Sequence, residues 1–341
     1  MDGRLRDDEM VVGGDARQRY YDSRGYGRPL GGNEVALAPV EAAHLLFRGD
    51  LETVEGMGFR AFLERVATAD SGFSTRFLVY ADLRDRGFYL SPVRGDRPDG
   101  GADVDFVVYP RGRGPWDDAV AYRVRVVGER ASVSAVTLGD AVLAVVDEES
   151  EITYFETDVP DLAGSTPYDP ATGVPATLLD DRVVVWDPPA GLHERGFYGQ
   201  PLGDRSTDAG ALQLSLVEAA YLIDEGRLVM EESASVRDRG RAVEGERFDR
   251  RLRAYRALRD AGLVPKTGFK FGADFRVYGA FESVEDVGHS EWLVRVLPAD
   301  ATFSPRDLAL DVRLAHGVRK QMVFGLVGDG VSWRSVGRLT P

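Results

Sequence analysis

The segment YGRPLG at residues 26–31 returns as YGQPLG at 198–203, and it does not return alone. VEAAHLL at 40–46 is followed by VEAAYLI at 217–223, and YADLRDRGF at 80–88 by YRALRDAGL at 255–263, in the same order and at a nearly constant offset. GADVDFVVY (101–109) answers to GADFRVY (272–278), and YRVRVV (122–127) to WLVRVL (292–297). Self-similarity at one fixed period marks a duplicated unit, so whatever this chain folds into it folds into twice. The run ETDVPDLAGSTPYDPATGVP at 156–175 is too rich in Pro, Gly, Ser and Thr for a helix or a central strand and reads as a linker. The expected organisation is a first repeat over about 1–165, with subdomains near 1–95 and 96–165, and a second over about 176–341, with subdomains near 176–268 and 269–341.

In the second copy Ser215 caps an apolar helix running to about Gly226, and 248–261 reads as an Arg-rich amphipathic helix stopped by Gly262. The pattern then changes to strands: FRVY at 275–278 and the alternating EWLVRVL at 291–297. Ser304 followed by Pro305 opens a further helix to about His316. QMVFGLV (321–327) and VSWRSVGRL (331–339) are two more strands joined through Gly328, Asp329 and Gly330. Each copy thus reads as a helix-rich subdomain followed by a mixed β-sheet subdomain, a tandem duplication in the α/β (α+β) class.

Of the 42 basic residues only Lys266, Lys270 and Lys320 are lysine, and 56 acidic residues set a net charge of −14. A hydrated carboxylate surface with lysine nearly eliminated suits a cytosol held at molar salt. Codon bias in a GC-rich genome accounts for the Lys-to-Arg ratio but less well for the charge. An acidic chain normally repels nucleic acid, yet in concentrated salt the counterion contribution is small, so stacking, hydrogen bonds and RNA shape still permit an RNA partner. The absence of cysteine removes disulfides, thiolate nucleophiles and thiolate zinc sites. No run of 18 or more apolar residues is present, and the first thirty residues are charged and Gly-rich, so the expectation is a cytoplasmic chain with no membrane partner.

Histidine is as scarce as lysine, with His44, His193, His289 and His316 the whole supply. Tyr278 ends a strand, His289 lies in the loop before the next strand, and Lys320 stands where a helix hands over to a strand. Strand ends and loops are where a sheet presents chemistry to solvent. Taken singly, the three read equally well as a half-buried strand tyrosine, an exposed loop histidine and a surface cation.

The ordered combination FRVY, GHSEWLVRV, VRLAHGVRKQMVFGLV closely resembles the catalytic domain of archaeal tRNA-splicing endonucleases, and the duplication resembles their homodimeric class. The repeat pattern spans the chain, whereas the specific motifs fall within 268–327. Gly317, Trp292 and Glu291 depart from that pattern, where serine, tyrosine and lysine are expected. The resemblance implies a nuclease-like β subdomain with Tyr278 as general base, His289 as general acid and Lys320 as the cation on the transition state. The nucleophile is the RNA's own 2′-hydroxyl, so no metal or other cofactor is required and the products are a 2′,3′-cyclic phosphate and a 5′-hydroxyl. It further implies precursor tRNA as substrate, cut at both splice sites of a bulge-helix-bulge, with no DNA partner. Arg313 and Arg334 resemble the pair that holds a bulged base.

In the first copy the anchor on VRV sets Ala119 opposite His289, the anchor on AVLAVV sets Gly139 close to Lys320, and Tyr109 falls near Tyr278. That copy is therefore expected to be inactive. Where the second copy has Gly-Asp-Gly, the first has the acidic loop Asp147, Glu148, Glu149, which by the resemblance docks into a partner's catalytic unit; a solvated turn is the plain alternative. One site per chain and two cuts per intron imply a homodimer. A DNA nuclease that pairs a carboxylate with lysine two residues on is excluded, because Val264, Gly268 and Val318 precede the lysines at that spacing. A non-catalytic RNA-binding or scaffold subunit is the rival from another class.

Overall fold

The computed structural model describes residues 1–6, 9–93, 103–203, 210–230 and 235–341. The boundary expected near 95–96 in the first copy, and Gly101 and Ala102 of its GADVDFVVY segment, lie outside the described residues. Each copy opens with a unit of short strands and helices. In the first, strands Asp2–Arg6, Glu9–Val12, Arg28–Pro29, Val35–Leu37 and Thr53–Val54 form a five-stranded sheet, joined by helices α1 (Pro39–Phe47), α2 (Phe59–Ala69) and α3 (Phe73–Asp85). The second repeats the same strand order with Val174–Leu179, Arg182–Val185, Gln200–Pro201, Leu212–Ser215 and Leu228–Met230, and helices α4 (Leu216–Asp224), α5 (Val236–Glu244) and α6 (Glu246–Asp260). The subdomain expected to be helix-rich is therefore a helix-and-sheet layer, its strands too short and too charged for the alternation that announces a strand. Strand-free chain between the copies runs from 159 to 173, because Ile152–Asp158 and Val174–Leu179 take both ends of the stretch read as a linker.

The residues that repeat in sequence form one buried polar node in each copy. Glu41 of α1 accepts hydrogen bonds from the backbone N–H of Gly27 (2.6 Å) and Ala38 (2.7 Å), and Glu218 of α4 from Gly199 and Ser215 (3.1 Å each). Gly27 and Gly199 have φ of +71° and +60°, and an added Cβ would fall 2.5 Å from Val35 or from the Gln213 carbonyl, which is why the motif reads Tyr-Gly both times. Arg84 lies over the Tyr26 ring at 3.8 Å and donates to Tyr80 Oη; Arg259 lies over Tyr198 at 3.9 Å and donates to Tyr255 Oη. The conspicuous repeat is thus a scaffold motif and carries no chemistry of its own.

One difference between the nodes is a histidine. His44 stands where the second copy has Tyr221, buried to 1% exposure with Nδ1 2.9 Å from Tyr26 Oη. Burial first, then the Arg84 and Arg48 guanidiniums, push its pKa down to about 4. A base depressed in the folded state gives stability that is fully present above its unfolded value of about 6.5 and is lost as pH falls toward about 4, on the order of 3 kcal/mol. Urea midpoints measured across that window are expected to fall with acid in the native chain and to fall less in a His44→Gln variant; equal falls in both would remove His44 as the cause.

Beyond these units all the remaining long strands join one sheet. The order is Val264–Thr267, Phe275–Tyr278, Trp292–Pro298, Gln321–Val327, Val331–Leu339, then Ile152–Asp158, Val142–Val146, Tyr122–Gly128, Phe106–Val108, Leu90–Pro92. Each copy supplies five strands, and they meet where Val331–Leu339 runs antiparallel to Ile152–Asp158, pairing Ser335 with Asp158 and Leu339 with Tyr154. On one face Phe275, Val277, Val294 and Val323 pack with Leu252, Tyr255 and Leu258 of α6. On the other, helix α7 (Pro305–Gly317) sets Leu308, Val312 and Ala315 against Leu293, Met322 and Phe324, in a core that also includes Leu143, Val145 and Phe155 of the first copy. The two copies thus share one sheet and one core. Where the second copy has α7, the first has only a 3₁₀ turn at Ala135–Thr137, since the chain between its strands is too short for a helix.

Candidate active site

Register fixes where the three candidate residues fall. Val277 pairs with Trp292 across the antiparallel ladder, and Trp292 with Gln321 across the parallel one. One step along, Glu291 donates its N–H to the Val277 carbonyl (2.9 Å) and accepts at its own carbonyl from Gln321 (3.0 Å). Tyr278 and Lys320 therefore flank Glu291 at the beginning of strand Trp292–Pro298, with main chains about 10 Å apart across two strand spacings. By alternation along their strands both fall on the sheet face that carries Leu293 and Met322, which α7 covers.

Each side chain has its own support. Tyr278 is 7% exposed, with its ring 5.7 Å from Phe197 and packed with Val264 and Phe281. His289 is exposed in the loop before the strand, and Ser290 beside it is buried. Lys320 follows the end of α7, its N–H bonded to the Ala315 carbonyl and Arg319 before it turned to φ +56°. Its Nζ donates to the carbonyl of Ser290 at 2.5 Å and lies 5.9 Å from the Phe271 ring. Lysine thus ties down the loop that carries His289. Burial first, then the charge of Arg276, lower the Lys320 pKa from its ordinary value.

The same register in the first copy pairs Phe106 with Val124 and Val124 with Val142, as Phe275, Val294 and Val323 are paired in the second. Tyr109 therefore takes the place of Tyr278, Ala119 that of His289 and Gly139 that of Lys320. Gly139 has φ +127°, and a Cβ there would fall 2.8 Å from Val159 and 3.2 Å from Arg334, so this spot is closed to a lysine. The retained Tyr109 donates instead to Ser91 Oγ (3.0 Å).

The arginines separate. Arg313 on α7 lines a groove of about 540 Å³ with Arg306, His316, Leu310, Phe155 and Arg338. Arg334 is turned to the first copy, its terminal nitrogens bonded to the carbonyls of Trp333 (2.8 Å) and Val136 (3.5 Å). The sequence reading passed over Arg338; its place on the same strand face as Arg334, four residues on, was the available signal. In the acidic loop, Asp147 Oδ1 accepts from the N–H groups of Glu149 and Glu151 (2.9 Å each), and Glu148 pairs with Arg130 at 2.5 Å. Among the described residues neither Asp147 nor Glu149 is in an ion pair, and of the two only Asp147 is engaged through its carboxylate by backbone N–H groups.

The model of the tRNA intron endonuclease catalytic C-terminal domain matches residues 248–333, and that of the tRNA intron endonuclease N-terminal domain matches 1–63 and 174–238. The chain belongs to the tRNA-splicing endonuclease family. A tRNA-splicing endonuclease of Halobacterium salinarum is 61% identical over 100% of both chains, one of Haloarcula marismortui 59% over 99% of both, and one of Methanosarcina mazei 39% over 98% of both. Among the described residues no helix is long and apolar enough to cross a membrane.

Proposed function

We propose that this chain cuts intron-containing precursor tRNA at both splice sites of a bulge-helix-bulge, without a metal, leaving 2′,3′-cyclic phosphate and 5′-hydroxyl ends. The observation that carries this reading is the Lys320–Ser290 contact, which joins the lysine to the histidine loop beside Tyr278. Tyr278 takes the proton of the attacking 2′-hydroxyl, the 2′-oxygen bonds to the adjacent phosphorus, and the bond to the 5′-oxygen breaks as His289 delivers a proton to it. Lys320 meets the charge that gathers on the non-bridging oxygens. Arg313, with Arg338 in the same groove, is suited to stack on a displaced base, whereas Arg334 is engaged at the junction of the copies.

The experiment is incubation of the purified chain with end-labelled precursor tRNA in high salt and EDTA. Release of the intron with cyclic-phosphate ends is the expected result. Cleavage only after magnesium is restored would refute the metal-free chemistry, and RNA binding without cleavage would make the chain a non-catalytic subunit. Two chains, each with one site, are the working enzyme in this reading, with the acidic loop of each seated on the other. Glu149→Arg is expected to shift the chain from dimer to monomer in sedimentation velocity, and an unaltered dimer would remove the loop from the interface.

A further inference from the structure

Arg276 lies two residues before Tyr278 on the same strand and so on the same face, its guanidinium carbon 5.9 Å from the Tyr278 ring. Its Nε is buried without a hydrogen-bond partner, and no carboxylate among the described residues comes within ion-pair distance of the group. That isolation stands out against its neighbours. Arg247 and Arg251 are paired with Asp274, Arg295 with Asp311, and Lys266, directly opposite Arg276 on the adjoining strand, with Glu218 at 2.8 Å. Glu291, the carboxylate in register between Tyr278 and Lys320, is exposed and lies against Gly279. Two cations, Arg276 and Lys320, are thus held near one another with no carboxylate of the described residues within ion-pair distance of either. Like charges so placed oppose folding unless a ligand of opposite sign is to be received.

The inactive copy gives an internal control. At the register of Arg276 it has Val107, with Ser91 opposite where the second copy has Lys266. The first copy has thus given up this arginine together with the histidine and the lysine, although it retains the tyrosine. Valine packs there in an otherwise equivalent strand, so the position asks for no guanidinium on structural grounds.

Resting on the endonuclease reading above, we propose that Arg276 is a further substrate-contacting residue, its guanidinium donating to a non-bridging oxygen of the phosphate being cut, alongside Lys320. An arginine presents paired donors of fixed geometry to such oxygens, whereas lysine acts as a point charge. A single phosphodiester carries one negative charge; as the 2′-oxygen adds, a second accumulates on the phosphorane, and two cations then match two charges.

The test is single-turnover cleavage of precursor tRNA by the full chain and by Arg276→Gln, Arg276→Val and Arg276→Lys, with RNA affinity and melting temperature measured beside each rate. Gln and Val are expected to slow cleavage by about 100-fold with RNA affinity changed by less than about threefold, and Lys to recover part of the loss. In Arg276→Gln the alkaline limb of the rate profile is also expected to move to higher pH, because Lys320 loses its like-charged neighbour while Lys266 stays paired with Glu218. That movement reports the nearness of the two charges, and the loss of rate at unchanged RNA affinity and melting temperature is what separates a phosphate contact from a structural role. Cleavage by folded Gln and Val variants within about threefold of native rate would overturn the inference, as would loss of rate in all three variants in step with loss of melting temperature. Failure of the native chain to cut precursor tRNA would overturn the endonuclease reading as well, and is told apart by the native control.

Discussion

Replacing His289 with alanine is expected to slow single-turnover cleavage of precursor tRNA by about 100- to 10,000-fold while leaving RNA affinity within about threefold. Histidine is the cleanest position to test, because its side chain is exposed and makes no hydrogen bond or ion pair among the described residues. In the proposed reaction its removal deletes a proton donor and little else. Lysine is less clean, since Lys320, besides its proposed role at the phosphate, anchors the Ser290 carbonyl, so its loss would also release the loop that holds His289. Cleavage by His289→Ala at close to the native rate would rule out the assigned general acid.

The largest expected effect on stability belongs to a different lysine. Lys266 is buried and donates to the carbonyls of Phe197 and Gly199 and to Glu218 Oε1 at 2.9, 3.1 and 2.8 Å. Its ammonium helps hold the buried Glu218 carboxyl below its usual range against the opposing effect of burial. Lys266→Met leaves that carboxylate uncompensated and is expected to cost on the order of 3 kcal/mol in denaturant unfolding. Because Phe197 packs against Tyr278, cleavage should weaken in the same variant. A loss below about 1 kcal/mol would show that the backbone donors of Gly199 and Ser215 satisfy Glu218 unaided.

Sequence and structure agree most closely where side-chain periodicity was strong. FRVY, QMVFGLV and VSWRSVGRL are strands with the expected ends, because each alternates or runs apolar between clear turns. The helices opening at Ser215 and Ser304 begin where those hydroxyls accept the N–H of Glu218 and Asp307. The five-stranded sheets escaped notice because strands of two to six residues, such as DGRLR with a single buried position, leave little period to read. Pairing of 331–339 with 152–158 was equally invisible, since backbone hydrogen bonds carry no signature of which strand completes them. At the site, lysine scarcity pointed to Lys320, and the same scarcity applies to Lys266, whose retention is explained by Glu218. Arg276 was hidden among many arginines and becomes distinct only when DFRVY is set beside DFVVY and its lack of a carboxylate partner is seen.

The first copy has a structural part to play whatever its chemistry. Strand Val331–Leu339, nine residues long, is bonded on one side by Gln321–Val327 and on the other by Ile152–Asp158. Cut free of its twin, the second half would bare the unpaired amides and carbonyls along one edge of that strand, a template on which foreign strands assemble. The first copy therefore serves its sister as a permanent guard against aggregation, through the ribbon of backbone by which the two are sealed.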